Sequence, residues 1–289
     1  MIQFIKGKLN AMRHMDVKGE RIKVIKVCVA GVTGWAGSAV AKSIVQSREF
    51  QLVGAVSRRQ AGLDVGEVLG LQNLGIAIEA DLNNAFATPV DVLVEYTHAS
   101  SVKQNVLCAL SKNVRVVIGS SGLTAADFDE IERISKERGL GVIAAGNFSI
   151  TAALAKRFSL MAAQYLPTWE IIDYADAHKQ DAPSGTTREL AEQMARTKAN
   201  EVTFPIDSTI GMKAARGASV AGAQVHSVRL PGYTLAFETL FGLADERLTI
   251  RHDAGTSALP YVQGTLLATQ KVMSITGLVR GLDNLLFEE

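Results

Sequence analysis

A glycine-rich loop is the first stretch of the sequence whose residue types suit a ligand. GVTGWAG, at residues 31–37, follows an apolar strand-like run at 21–30 and opens a predicted helix over 34–47. Glycine lets backbone N–H groups approach a pyrophosphate, and a helix N-terminus adds a favourable field for an anion. The spacing predicts a dinucleotide phosphate site, with a glycine-rich turn without ligand as the alternative. Its candidate contacts are Gly31, Thr33, Gly34, Trp35, Ala36 and Gly37.

Serine and arginine follow the second predicted strand, residues 50–56, where a dinucleotide-binding fold meets the adenosine ribose. A cofactor without a 2′-phosphate usually meets an acid at this position, whereas Ser57 and Arg58 suit a phosphate. We therefore predict that Ser57 and Arg58 contact the cofactor and that NADPH is preferred, with NADH as the second choice. The alternative is a solvated basic loop.

A helix start near a lysine is the main feature of the second half. Ser184, Gly185 and Thr186 precede a predicted helix over 188–199, and Thr186 and Glu189 have the spacing of a capping box. The free N–H groups of such a start, with a lysine ammonium nearby, attract an anion. The alternative is that Thr186 only caps the helix.

Apolar runs and helical patterns alternate through the first half and predict βαβ units with a parallel sheet. Strands are predicted at 50–56, 91–96, 114–118 and 140–145, with helices at 102–111 and 125–138. The second half changes character. After a helix at 151–165 and a strand at 169–174, it predicts antiparallel strands at 223–230, 235–241 and 246–253, and a final helix over 259–286.

Charge and cysteine content exclude several classes of protein. The 289 residues carry 30 basic and 29 acidic side chains, so the net charge of +1 argues against a protein that grips nucleic acid or a membrane surface. Two cysteines give no disulfide framework, so we expect a reducing compartment, the cytoplasm. No apolar run is long enough to span a membrane, and no histidine or cysteine cluster has metal-ligand spacing. We therefore expect no metal.

Five motifs together resemble one enzyme family, the dihydrodipicolinate reductases, also called 4-hydroxy-tetrahydrodipicolinate reductases. The motifs are EYTH at 95–98, GSSG at 119–122, AGNFS at 145–149, HKQDAPSGT at 178–186 and HSVRLPG at 226–232. The resemblance runs over nearly the whole chain, and the lysine-to-threonine segment is its most specific part.

The resemblance implies an α/β protein whose Rossmann-type domain, residues 22–148, is completed by a C-terminal segment, 252–289. A central α+β domain, 149–251, would bind the substrate and build a homotetramer, and residues 1–21 would be an extension. The implied activity is NAD(P)H-dependent reduction of a cyclic unsaturated dicarboxylate on the route to diaminopimelate and lysine. The glycine loop would meet the pyrophosphate and Arg58 the adenosine end. The residues implied near the nicotinamide are Thr97, Gly119, Ser121 and Asn147.

The same resemblance assigns substrate carboxylates to Lys179 and to the turn formed by Ser184, Gly185 and Thr186. One departure is notable. The family has two adjacent histidines before the lysine, the first its proposed proton donor, and this chain has Ala175 and Asp176 there. His178 immediately precedes Lys179 and would face the opposite way on an extended backbone. The proton donor therefore stays open among Lys179, His178, Asp176, Tyr174 and water.

Three hypotheses remain at this stage. The first is reduction of dihydrodipicolinate. The second is a related reductase of another cyclic imine or enamine acid, with a pocket reshaped by Ala175 and Asp176. The third is a nucleotide-binding protein without turnover. The retained lysine-to-threonine motif favours an enzyme, so we expect a small-molecule oxidoreductase.

Overall fold

The computed structural model describes residues 24–287. They form two compact units, one running to Phe148 and resuming at Tyr261, the other spanning Ser149–Pro260. No helix in this part of the chain is long and apolar enough to cross a membrane. The predicted extension at residues 1–21 lies outside the described residues.

The strands are β1 (Ile25–Ala30), β2 (Phe50–Val56), β3 (Ile78–Glu79), β4 (Val92–Glu95), β5 (Arg115–Ile118), β6 (Gly141–Ala144), β7 (Thr168–Ala175), β8 (Ala218–Val220), β9 (Ala223–Arg229), β10 (Leu235–Leu243), β11 (Glu246–Ala254) and β12 (Gly277–Arg280). The helices are α1 (Trp35–Gln46), α2 (Val65–Val68), α3 (Leu82–Ala85), α4 (Val102–Ser111), α5 (Ala125–Glu137), α6 (Ile150–Tyr165), α7 (Gly185–Thr197), α8 (Leu259–Lys271) and α9 (Leu282–Leu286).

The first unit is built on a seven-stranded parallel sheet in the order β12-β6-β5-β4-β1-β2-β3. Its central strands are mostly buried, and β4 and β6 are buried at all four of their positions. Val106 and Leu110 of α4 and Ile131 of α5 pack in the same apolar cluster. The strand order reverses direction between β1 and β4, which is where such sheets bind nucleotides at their carboxyl ends. The predicted α/β, Rossmann-type fold is confirmed.

The second unit has a mixed five-stranded sheet in the order β11-β10-β7-β9-β8, in which β7 and β9 are parallel. β7 alternates between half-buried and buried residues, so Ile171, Asp173 and Ala175 share one face. That face packs against α6 and α7, since Ala155 and Leu190 join Ile171 in one apolar cluster. The alternation predicted for a strand with one covered face is therefore present.

The C-terminal prediction of one helix over 259–286 is wrong in its second half. α8 ends at Lys271, and residues 277–280 form β12, which pairs with β6. Gly277 and Gly281 have φ of +90° and +87°, which a continuous helix does not allow. The second unit also extends to Pro260, beyond the predicted boundary at residue 251, because β11 continues to pair with β10 as far as Ala254.

The segment between β2 and β4 contains structure that the sequence pattern does not reveal. α2, β3 and α3 lie there, and aspartates cap both short helices. Asp64 accepts hydrogen bonds from the backbone N–H groups of Gly66 and Glu67, and Asp81 accepts them from Asn83 and Asn84. These are the local side-chain bonds that favour short capped turns over longer elements.

Candidate functional site

The glycine loop between β1 and α1 has no room for side chains at two of its glycines. Gly31 has φ of +79°, and a Cβ there would lie 2.2 Å from the carbonyl oxygen of Tyr96. A Cβ on Gly37 would lie 2.2 Å from the carbonyl oxygen of Gly31, so close packing of α1 on the loop requires glycine. The backbone is so compact at Gly31 and Gly37 that no side chain larger than hydrogen fits at either position.

The first turn of α1 has neither a side-chain cap nor an acidic residue. Gly34 is the N-cap residue of this helix and has no side chain to bond the turn. The N–H groups of a first helical turn have no intrahelical partner. Trp35, 53% exposed, meets Tyr261 edge to face with ring centroids 5.3 Å apart, and the loop is exposed at Thr33 and Gly34. A first turn of this kind suits an anion, and the predicted contact with a dinucleotide pyrophosphate stays a prediction.

The end of β2 presents a hydroxyl pair and an arginine. The hydroxyls of Thr33 and Ser57 lie 2.8 Å apart, which ties this strand end to the glycine loop. Arg58 and Arg59 are exposed, and within residues 24–287 neither forms an ion pair. An unpaired guanidinium beside the loop is free to meet a phosphate.

The four residues assigned to the nicotinamide follow three adjacent strands. Thr97 comes after β4, Gly119 and Ser121 after β5, and Asn147 after β6. Gly119 lies against the ring of Tyr96, since a Cβ there would be 2.2 Å from Cε1 of that ring. The Tyr96 hydroxyl bonds the Thr265 hydroxyl at 2.7 Å, which fixes the ring over the glycine. The first unit therefore brings together all the residues predicted to bind the cofactor.

Glu95, the last residue of β4, is a candidate functional residue. The sequence shows it only as part of the motif at 95–98 and does not indicate a role for its side chain. It is fully buried, Thr97 and Asn105 donate to its carboxylate, and the Ser120 hydroxyl lies 3.3 Å from Oε1. Burial raises the pKa of the Glu95 carboxyl, and these hydrogen bonds oppose the rise. The available signal was an acid as the last residue of a buried parallel strand, between two predicted cofactor motifs.

In the second unit the helix α7 begins at Gly185, three residues before the predicted start at residue 188. The capping box of Thr186 and Glu189 is wrong. Ser184 is the N-cap residue, and its hydroxyl accepts from the N–H of Thr187 at 3.4 Å. Gly185 and Thr186 are therefore the first two residues of the helix, and their N–H groups belong to its first turn. Gly185 is exposed, with nothing within 4 Å of a Cβ placed there.

A buried ion pair holds this helix start. Asp173 of β7 is fully buried and accepts from Ser184 N–H at 2.9 Å and Thr187 Oγ1 at 2.8 Å. Nη2 of Arg229 lies 2.7 Å from Asp173 Oδ2 and also 2.7 Å from the carbonyl oxygen of Asp181. Burial alone would raise the pKa of Asp173, but the bonds from Ser184 and Arg229 hold it below its usual value.

Lys179 lies on the loop between β7 and α7, and its side chain is one-third exposed. Its ammonium pairs with Asp181 Oδ1 at 2.7 Å, which lowers the pKa of Asp181. The end of this loop next to α7 is fixed to β7 and β9, because Asp173 accepts from the N–H of Ser184 and Arg229 donates to the carbonyl oxygen of Asp181. The structure therefore places Lys179, Ser184, Gly185 and Thr186 on one short segment whose backbone is held by side-chain contacts.

His178 is placed differently from the extended geometry that the sequence suggests. Residues 176–179 form a turn, in which the N–H of Lys179 donates to the carbonyl of Asp176. Asp176 Oδ1 accepts from the backbone N–H of His178 at 2.9 Å and lies 2.9 Å from its Nδ1, and these two bonds lower the pKa of Asp176. The His178 side chain is 94% exposed. Ala175 is fully buried.

Two of the other described histidines, His226 and His252, lie close to polar side chains. His226 Nε2 lies 2.8 Å from Glu170, and buried His252 lies 3.4 Å from the Ser149 hydroxyl, with its pKa lowered by burial. His98 is exposed after β4. No group of three or more histidine, cysteine or acidic side chains within residues 24–287 is arranged to hold a metal ion.

Two family models together match residues 25–286 of the chain. Residues 25–148 match the N-terminal part of dihydrodipicolinate reductase, and residues 149–286 match its C-terminal part. The chain belongs to the dihydrodipicolinate reductase family. It is 39% identical over 266 residues to the 4-hydroxy-tetrahydrodipicolinate reductase of Moorella thermoacetica, which covers 92% of this chain and 99% of that relative. The enzyme of the same name from Desulfitobacterium hafniense is 39% identical over 267 residues, 92% of this chain and 100% of the relative.

A solved structure of this family has the same fold. The dipicolinate-bound dihydrodipicolinate reductase from Paenisporosarcina sp. TG-14 superimposes with a TM-score of 0.79 and 30% identity, over 90% of this chain and 99% of that one. An amine dehydrogenase from Mycobacterium smegmatis, at 16% identity and a TM-score of 0.62, shares the fold only. The chain is therefore a nicotinamide-dependent oxidoreductase of the dihydrodipicolinate reductase family, and the hypothesis of a binding protein without turnover is wrong.

Proposed function

We propose that this chain reduces 4-hydroxy-tetrahydrodipicolinate, or the dihydrodipicolinate formed from it, to tetrahydrodipicolinate, on the route to diaminopimelate and lysine, with NADPH as the preferred cofactor. The observation that carries the proposal is the start of α7. There Lys179 and the first helical turn lie on one segment, which Asp173 fixes. The chain also matches both the N-terminal and the C-terminal family model.

The residues of the first unit would bind the cofactor, which supplies a hydride when bound. The N–H groups at the start of α1 would hold the pyrophosphate, and Ser57 with Arg58 would hold the 2′-phosphate. Thr97, Gly119, Ser121 and Asn147 would hold the nicotinamide. This assignment is supported by the glycine packing at residues 31 and 37 and by the strand reversal beside β1.

The residues of the second unit would bind the substrate. Lys179 and the N–H groups of Gly185 and Thr186 would hold one carboxylate, for which a cation and a helix N-terminus are complementary. The ammonium of Lys179 would then exchange its present partner, Asp181, for the substrate. That exchange conserves one ion pair on the loop.

The geometry narrows the choice of proton donor. Tyr174 alternates with Asp173 along β7 and so lies on the other face of the sheet, where its hydroxyl donates to Glu238. Asp176 has a lowered pKa and is ionised at neutral pH. Lys179, His178 and water remain, and we assign the proton to Lys179 or to water, because His178 is almost wholly exposed and held by Asp176.

A second candidate function rests on Ala175. The position that the family pattern gives to its proposed donor is here a fully buried methyl group. A pocket changed in this way suits a related reductase whose substrate is another cyclic imine or enamine carboxylate. The two candidates share the cofactor and the carboxylate contacts, and differ in the ring that is reduced.

A homotetramer and a cytoplasmic location complete the proposal. One face of the five-stranded sheet packs against α6 and α7, whereas the other carries half-buried Ile172 and Tyr174 and the Arg251–Glu238 ion pair. We propose this second face as the interface between copies. Sedimentation should show a tetramer, and Ile172→Asp should reduce it to smaller species if this face is the interface.

The test of the function is NADPH oxidation with the substrate supplied in place by dihydrodipicolinate synthase. Oxidation that needs the synthase, its two substrates and this chain supports the first candidate. Oxidation with other cyclic imino acids, but none with the synthase product, would support the second. Dipicolinate should inhibit competitively with the substrate in the first case.

A further inference from the structure

The Glu95 carboxylate is one of the few buried charged groups of the first unit, and both of its oxygens are bonded. Oε1 accepts from the N–H of Thr97 at 2.8 Å and from the Thr97 hydroxyl. The Ser120 hydroxyl lies 3.3 Å from Oε1 and 3.0 Å from its nearest acceptor, the Thr97 carbonyl oxygen. Oε2 accepts from the side-chain amide of Asn105 at 3.0 Å. The N–H and the amide are donors only, and with the Thr97 hydroxyl these three donors suit a carboxylate rather than its acid.

No positive side chain balances this carboxylate in the part of the chain that the structure describes. Glu95 has no exposed surface, and none of the ion pairs between residues 24 and 287 includes it. A buried charge without a partner of opposite sign is costly, even when it is well hydrogen-bonded. Such a group is retained where the missing positive charge arrives with a ligand or develops during a reaction.

Its position identifies that positive charge. Glu95 ends β4, next to the strand reversal at β1. Its donor Thr97 is itself assigned to the nicotinamide, and Ser120 lies between Gly119 and Ser121, which are assigned to it as well. Hydride transfer breaks the C4–H bond of a neutral dihydronicotinamide, forms a C–H bond on the substrate carbon, and leaves a ring of charge +1. The substrate then takes a proton from the donor or from water.

We propose that the Glu95 carboxylate stabilises the positive charge that the nicotinamide ring acquires, so that this site binds the oxidised ring more tightly than it would without the charge and favours release of the hydride. The inference rests on the proposed cofactor site at the strand ends. A negative charge fixed in a dry region acts strongly on a charge nearby, because water does not screen it. Thr97 and Ser120 hold the carboxylate in place.

The alternative is that Glu95 only ties the strand ends together. Glu95→Gln separates the two roles, because it removes the charge and keeps the shape. Its carbonyl oxygen replaces Oε1, and the amide of Asn105 turns over to accept from the new Nε2. Glu95→Asp keeps the charge on a side chain that is one methylene shorter. Asp91→Asn is the matched control, since Asp91 precedes the same strand at its other end, on the order of 13 Å away at about 3.3 Å per residue.

The experiment measures the equilibrium dissociation constants of NADP⁺ and NADPH for the full chain, without substrate. We expect Glu95→Gln to weaken NADP⁺ binding about tenfold relative to NADPH, which corresponds to about 1.4 kcal/mol. Glu95→Asp and Asp91→Asn should keep the wild-type ratio of the two constants. With substrate, Glu95→Gln should also increase the deuterium isotope effect on NADPH oxidation, because hydride transfer becomes slower.

An unchanged ratio in Glu95→Gln, or an equal change in Asp91→Asn, would overturn the proposal. If Glu95→Gln fails to fold, Asn105→Lys gives the same test by placing an ammonium beside Oε2, and it should shift the ratio in the same direction. The proposed function is judged separately. Wild-type protein that binds neither nucleotide would overturn both, whereas a ratio that responds without turnover of dihydrodipicolinate would leave this inference standing and reject only the substrate.

Discussion

Asp173 accepts hydrogen bonds from both the backbone N–H and the hydroxyl of Ser184, at 2.9 and 2.6 Å, from a position eleven residues earlier in the chain. A strand residue thereby fixes the first turn of the helix that we assign to the substrate carboxylate. Arg229 completes the arrangement from the neighbouring strand β9. The conformation of residues 176–184, the loop that we assign to the substrate, is therefore fixed by a carboxylate that is itself buried.

Replacement of this carboxylate should loosen the loop. Asp173→Asn leaves Arg229 without a charged partner and replaces one acceptor oxygen by an NH2 group. Either Oδ2, which Ser184 N–H and Arg229 share, or Oδ1, which accepts from the Ser184 and Thr187 hydroxyls, is then lost as an acceptor. We expect a loss of about 3 kcal/mol in the free energy of unfolding, as for other broken buried pairs. The KM for the substrate should rise while NADPH affinity stays unchanged, because Asp173 lies in the second unit. Urea unfolding at fixed protein concentration and steady-state kinetics measure the two effects; a change in kcat alone would contradict the positioning role.

The same pair predicts a pH dependence of stability. The pKa of Asp173 is lower in the folded protein than its unfolded value of about 3.9, so its contribution is complete above that pH and is lost as the pH falls through the folded pKa. The difference in unfolding free energy between wild type and Asp173→Asn should be constant from roughly pH 7 to pH 5 and shrink below about pH 4. A difference that grows on acidification would show that Asp173 is protonated in the fold.

Cofactor preference should depend on Arg58. A charge-assisted bond to a 2′-phosphate contributes about 1.5–3 kcal/mol, and exposure of Arg58 places it near the lower end. Arg58→Ala should therefore raise the KM for NADPH about tenfold and the KM for NADH less than twofold. Arg59→Ala is the matched control, since it removes an equal charge from the next exposed residue. Equal losses for both cofactors would remove the assignment to the 2′-phosphate.

Lys179 should matter far more to turnover than His178. Lys179→Ala removes the cation proposed for the substrate carboxylate and should lower kcat/KM at least ~100-fold, about 3 kcal/mol, with NADPH affinity unchanged. His178→Ala should cost less than about tenfold, because its ring is exposed and bonded to Asp176. Arg196→Ala, in the last turn of α7, controls for loss of a positive charge near this helix. A collapse of activity in a folded His178→Ala variant would make His178 the proton donor.

The sequence predicted those parts of the fold that depend on local constraints. The glycine loop could be read directly, because Gly31 and Gly37 meet backbone atoms that exclude any Cβ. The helix start could not, because Ser184 and Thr186 both have capping character. Ser184 is selected by Asp173, whose approach depends on the pairing of β7 with its neighbours. The local sequence pattern around residue 184 does not show that Asp173 lies beside it.

Long-range pairing also explains the other misses. β12 forms only because residues 277–280 lie beside β6, whereas their local pattern continues the apolar spacing of α8. Glu95 belongs to the motif at residues 95–98, but the motif does not show that its side chain is buried. Its burial follows from the position of β4 in the seven-stranded sheet, with β1 and β5 on either side. Partners for such a carboxylate come from residues 97, 105 and 120, which the chain brings together only on folding.

The central claim is that this chain reduces the dihydrodipicolinate-type ring although Ala175 and Asp176 occupy the positions of the paired histidines. The most direct measurement is product analysis by NMR, with the substrate generated by dihydrodipicolinate synthase and NADPH followed in the same sample. We predict one tetrahydrodipicolinate formed for each NADPH consumed, with Lys179→Ala giving neither beyond the rate without enzyme. NADPH consumption without tetrahydrodipicolinate, or no consumption by a wild-type protein that binds NADPH, would contradict the account.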